Sequence, residues 1–157
     1  MSRRVGMAVC VLAIALLASG CTETKQAGPN EDGVWVKLTY WPEVAAGTDH
    51  WFTQTEESGG FDNVDEQQMK LEWTKDPATT ALNPMPSNDH EPDRWLQGDD
   101  PEEPKGAIRD FAINDDPIME VNINPDQPCT IEWKFSVDYI AAGQQKTLSD
   151  TATTTAR

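Results

Sequence analysis

The chain has 157 residues, 27 of them acidic against 12 lysines and arginines, for a net charge of −15 at pH 7. That balance argues against nucleic acid as a partner, because such binding rests on cations that neutralise phosphates. It argues equally against a protein face held on anionic headgroups, and the length suits one domain with a real core.

In chain order, the first element is Met1-Ser2-Arg3-Arg4, a short positive start, followed by an uncharged and mostly apolar stretch from Val5 to Ala18. The stretch is shorter than the roughly 20 residues of a bilayer-spanning helix and suits the apolar region of a secretory signal. It ends in Leu16-Leu17-Ala18-Ser19-Gly20-Cys21. This segment resembles the lipobox of bacterial lipoproteins, with Ala18 where the pattern favours Leu. The resemblance implies that residues 1–20 are removed and that Cys21 carries acyl chains. Stable anchoring needs more than one such chain, each buried methylene being worth about 0.8 kcal/mol. The same residues also suit an ordinary secretory cleavage site or a short uncleaved anchor. The lipobox reading places the protein at a cell membrane or outer membrane, on its extracytoplasmic side.

Three cysteines occur, and Cys10 lies within the signal. If Cys21 is acylated, Cys129 is left as a small buried hydrophobe; if it is not, a Cys21–Cys129 disulfide becomes possible.

Residues 22–33, polar and rich in turn formers, read as a flexible tether. Strands then begin. Val34, Val36, Leu38 and Tyr40 share one face, with Trp35, Lys37, Thr39 and Trp41 opposite. Met69, Leu71 and Trp73 alternate with polar residues, as do Met119, Val121 and Ile123. In 129–140 the residues Ile131, Trp133, Phe135, Val137 and Tyr139 line one face. Strict alternation with β-branched and aromatic residues marks half-buried strands. The stretch 124–128 reads as a hairpin connection, and a second hairpin turns at Ala142-Gly143. Weaker strands are His50–Gln54 and Ile108–Ile113. The expected fold is all-β, a compact antiparallel β-sandwich spanning 34–150, with a closed barrel as the second choice. The architecture is Ig-like, but the flanking-cysteine hallmark is missing, so no topology follows.

Between Asp76 and Gly106 the alternation breaks in an acidic stretch holding six of the chain's 11 prolines. It reads as an irregular loop, either a binding loop or a solvated insertion, with a helical turn at Pro92. Residues 151–157 read as a frayed tail.

Candidate chemistry is sparse. His50 and His90 sit beside acids, yet no nucleophile motif accompanies them. The acids at Asp62, Asp65 and Glu66, beside Gly59-Gly60, are weak candidates for a calcium site, although their spacing is not that of an EF-hand. Further acidic knots stand at Asp99-Asp100, Glu102-Glu103 and Asp115-Asp116. A carboxylate pair for glycoside cleavage is a remoter reading. Tryptophan is in excess, six in all. Trp73 and Trp133 fall on apolar faces, whereas Trp35 and Trp41 fall opposite them as a candidate aromatic strip, with Trp95 in the irregular loop. The favoured function is a lipid-anchored, non-enzymatic binding module of the cell envelope that contacts an envelope protein or glycan. The alternatives are a small carbohydrate-binding or glycan-hydrolysing protein, and a structural subunit or spacer. No cofactor is expected beyond the weak calcium candidate.

Overall fold

The structure is a computed structural model that describes residues 20–99, 102–111 and 116–157, with Glu66 described in its backbone only. The signal segment through residue 19, together with Asp100 and Asp115, lies outside the described residues.

Among the described residues, eleven strands form two packed sheets. They are β1 (Glu23–Ala27), β2 (Trp35–Tyr40), β3 (Glu43–Val44), β4 (Phe52–Gly59), β5 (Asp65–Asp76), β6 (Met85–Pro86), β7 (Arg94–Leu96), β8 (Gly106–Phe111), β9 (Ile118–Ile123), β10 (Cys129–Ala141) and β11 (Gln144–Ala156). One sheet runs β1-β2-β4-β9-β6 and the other β3-β11-β10-β5-β8-β7. Every pairing is antiparallel except that of β3 with β11, which is parallel. Three of the four outer strands, β3, β6 and β7, are only two or three residues long. Such short edges offer little template for further strand addition.

The all-β sandwich expected from period-two alternation is what the chain forms. The inward row of β10 (Ile131, Trp133, Phe135, Val137, Tyr139) is buried, and it meets Val36 and Leu38 of β2 and Met119, Val121 and Ile123 of β9 in one core. Each fully buried side chain of this size contributes about 1.5–3 kcal/mol over its exposed state. Within the core, Trp73 packs edge-on to Trp133 with ring centroids 5.8 Å apart. The Trp133 indole N–H donates to Thr154 Oγ1 at 2.8 Å, and that hydroxyl donates in turn to the Trp41 carbonyl at 2.5 Å.

Five expectations need correction. The segment 22–33 is not a tether. Residues 23–27 form β1, paired from Glu23↔Tyr40 to Ala27↔Val36. The turn after it is pinned by Asn30, whose Oδ1 accepts the Asp32 and Val34 main-chain N–H groups. The stretch 151–157 is not a frayed tail, because β11 pairs with β10 as far as Cys129↔Ala156. Residues 124–128 do not make a hairpin, since β9 and β10 belong to different sheets and this loop crosses between them. The helical turn expected over 91–97 is absent; Arg94–Leu96 is instead extended as β7 against β8. Finally, the acidic stretch 76–106 is neither a plain loop nor a solvated insertion. It supplies β6 to one sheet and β7 to the other, and Leu82 within it is buried in the core.

The second hairpin stands as expected. Ala142 (φ 50°) and Gly143 (φ 73°) are both left-handed, the two-residue geometry that matches strand twist.

Candidate functional site

The tryptophans singled out from sequence are placed apart. Trp35 lies on the outer face of its sheet, half-buried, with its ring against Gly59 of the neighbouring strand. A Cβ at Gly59 would sit 2.5 Å from the indole, so only glycine lets the ring settle there. The Lys37 ammonium lies 5.5 Å from the Trp35 ring centroid and pairs with Glu57 at 2.6 Å. The result is an aromatic surface with the Lys37 ammonium over the ring and the Glu57 carboxylate beside that ammonium.

Trp41 does not extend that platform. β2 ends at Tyr40, and the Trp41 ring turns in against the core, edge-on to Phe52 at 5.5 Å. Its main-chain N–H is accepted by Gln54 Oε1 at 3.1 Å. The strip of two tryptophans expected on one strand face is therefore broken, because the strand stops before the second of them. Trp95 sits on β7 in the other sheet, edge-on to Trp73 at 6.3 Å and partly buried.

Sequence reading passed over Trp51. It is 44% exposed and, with Met85, forms the pair of exposed large hydrophobic side chains among the described residues. The available signal was a tryptophan among the polar residues Thr48, Asp49 and His50 at the mouth of a strand, where no alternation accounts for it.

Cys21 is exposed, Cys129 is buried, and no disulfide joins them. Burial pushes the Cys129 thiol up from its ordinary value, with a hydrogen bond involving Thr80 acting the other way. Asp62 and Asp65 are exposed around the β4–β5 turn, and among the described residues no three His, Cys, Asp or Glu side chains gather as a cation site. His50 and His90 lie on separate stretches, and the His90 carbonyl accepts the Glu120 N–H at 2.8 Å.

Two ionic clusters fasten the loops. At one end Asp32 accepts from Lys146 at 2.8 Å and from the Tyr139 hydroxyl at 2.9 Å. The Lys146 hydrogen bond, then that of Tyr139, holds the Asp32 carboxyl below its usual range. Elsewhere Lys75 pairs with Glu103 at 2.6 Å, and Glu103 also accepts the Leu82 N–H at 2.8 Å. This pair borders a depression of about 530 Å³ that also takes in Trp73, Thr80 and Lys105.

The least expected group is Glu56. It is fully buried on the inward face of β4, between Gln54 and Ser58, which are buried as well. Neither carboxyl oxygen has a well-aligned hydrogen-bond partner, the Ser136 main chain being the donor within reach. Burial raises its pKa well above the ordinary 4.5; the Ser136 main chain pulls the other way, and the Glu72 charge adds to the rise.

No protein-family model matches the chain, and no curated protein matches it. Among solved structures, the chain is similar to a cohesin module from a family 33 glycoside hydrolase of Clostridium perfringens. That match has 11% identity over 88% of this chain and 98% of the module, with a TM-score of 0.48. It is also similar to AggA, the major subunit of aggregative adherence fimbriae type I from Escherichia coli. There the identity is 9% over 92% of this chain and 98% of the subunit, with a TM-score of 0.47.

Proposed function

We propose that the chain is a lipid-anchored protein of the bacterial cell envelope whose β-sandwich acts as a non-enzymatic interaction module. The observation that supports this reading is the position of Cys21. It closes a signal-like segment, and it stands exposed two residues before β1. Acyl chains on it need no rearrangement of the core, since the cysteine lies outside both sheets.

The contact surface for an envelope protein or glycan is the Trp35 platform with Lys37 and Glu57. Aromatic area with charged groups beside it is what such contacts use for affinity and orientation, and the long Lys37 side chain over the ring can move aside for a partner. Trp95 belongs to the opposite sheet and forms no part of that surface.

The deciding measurement is the intact mass of membrane-extracted protein from a bacterial host, beside a Cys21→Ala control. The expected result is a chain that begins at Cys21 and carries acyl mass, with that mass absent from the control. A cleaved chain without acyl mass overturns the anchor. For the platform, Trp35→Ala is expected to abolish cross-linking to envelope components while thermal melting stays within a few degrees of wild type. Unchanged cross-linking removes the platform from the contact.

A further inference from the structure

We infer that the end of the sandwich bearing Cys21 rests directly on the bilayer, with Trp51 seated among zwitterionic lipid headgroups. This rests on the acylation of Cys21 proposed above.

The first argument is reach. A fully extended residue spans at most about 3.6 Å, and Glu23 is already paired with Tyr40 at the edge of β1. Between the acylated residue and the folded sheet there is slack of only about two residues, on the order of 7 Å. An anchored domain without a tether cannot stand off from the membrane, so whatever surrounds Cys21 meets the headgroups.

The second argument is what surrounds it. A side chain at position 20 would lie 3.7 Å from the Trp41 ring. That ring packs on Phe52, and Trp51 is the next residue along the chain. Met85 falls at the same end, since it pairs with Asn122 near the close of β9, and Asn122 accepts a hydrogen bond from Thr53 on β4. Both exposed large hydrophobic side chains among the described residues thus stand at this end of the sheet, Met85 on the edge strand opposite β1. Indole is the side chain best suited to the headgroup layer, apolar in body with one N–H to satisfy.

The third argument selects the lipid. Glu23, Asp49 and Asp126 are exposed around this end, where Glu43 is paired with Arg157 at 3.1 Å, and the surplus negative charge repels anionic headgroups. A zwitterionic surface accommodates Trp51 without that repulsion.

The test reconstitutes the acylated protein beginning at Cys21 into phosphatidylcholine vesicles with brominated acyl chains, which quench tryptophan emission at short range. The expected result is quenching that Trp51→Phe removes for the most part and Trp35→Phe leaves unchanged. Adding anionic lipid to the same vesicles is expected to weaken it. If intact mass shows acylated protein but Trp51→Phe leaves the quenching unchanged, the seating of Trp51 is overturned and the anchor survives. If no acyl mass is found, both readings fall together.

Discussion

β4 and β10 stand in opposite sheets and face the same interior, yet they fill it in opposite ways. β10 presents Ile131, Trp133, Phe135 and Val137, whereas β4 presents Gln54, Glu56 and Ser58, all buried. The polar atoms on the β10 face are satisfied. The Trp133 indole meets Thr154, and the Tyr139 hydroxyl meets both Asn30 and Asp32. On β4 only Gln54 is satisfied, through Trp41 and the Phe52 carbonyl; the Glu56 carboxyl and the Ser58 hydroxyl have no well-aligned partner. The difference teaches that the sandwich is held by one face and carries the other. An apolar row gains free energy from burial, while an unpaired carboxyl costs free energy unless it is neutralised.

The largest expected effect comes from breaking the holding face. Trp133→Ala removes the central ring of the core and its bond to Thr154, and it should cost about 3–5 kcal/mol in urea unfolding. A loss below about 1 kcal/mol would mean that the core closes around the gap.

Next is Glu56→Leu, which should raise stability by about 1–3 kcal/mol at neutral pH by removing an unpaired polar group. The sign of the pH dependence follows from a folded pKa that lies above the ordinary 4.5. The folded state binds the extra proton, so this contribution is fully present below the unfolded value and is lost as pH rises through the folded one. Wild-type stability should therefore fall with rising pH in that window, and the Leu variant should show a flatter profile. Parallel profiles for the two proteins would remove Glu56 as the cause.

A smaller change tests the outer face of β4. Gly59→Ala places a methyl group where the Trp35 ring lies. Since the atoms the methyl group would meet belong to a side chain on the outer face and not to backbone, the expected loss is about 1 kcal/mol, near the low end for overpacking. A shift in tryptophan emission should accompany it, and an unchanged spectrum would mean that the ring does not rest there.

The smallest effect concerns the satisfied end of β10. Asp32→Asn keeps the side-chain shape but removes the charge that Lys146 and Tyr139 hold. The expected outcome is faster amide hydrogen exchange confined to the 28–34 turn, with global unfolding little changed. Because the Asp32 pKa is lowered in the folded state, wild type should show the same local loosening as pH falls through that lowered value. Uniform exchange rates in both proteins would detach the turn from this cluster.

The strands that were legible in the sequence are those in which burial and hydrophobicity coincide: β2, the centre of β5, β9 and β10. β4 was seen only at its first residues, because its inward row is Gln54, Glu56 and Ser58, which reads as a solvated face. β11 was followed only as far as Leu148; its buried end is Ala152, Thr154 and Ala156, small residues that carry little apolar signal. β1 is exposed along most of its length and owes its place to main-chain pairing, to which polarity patterns are blind. Of the tryptophans, Trp73 and Trp133 were assigned to the core from their neighbours' alternation. Trp41 was misplaced because alternation does not tell where a strand ends, and Trp51 was passed over because it was read inside a strand 50–54, whereas β4 begins only at Phe52.

By itself, then, the sequence determined the class of fold and the composition of the core, since period-two alternation and apolar burial are local properties of a strand. It also determined the signal-like start and the position of Cys21, which are linear features. The tertiary structure alone decided which strands share a sheet, that the segment two residues after Cys21 is a paired strand and not a tether, and that a glutamate lies between the layers. Those outcomes depend on partners distant in sequence, and the free energy of pairing or burying a group is set by what it meets there.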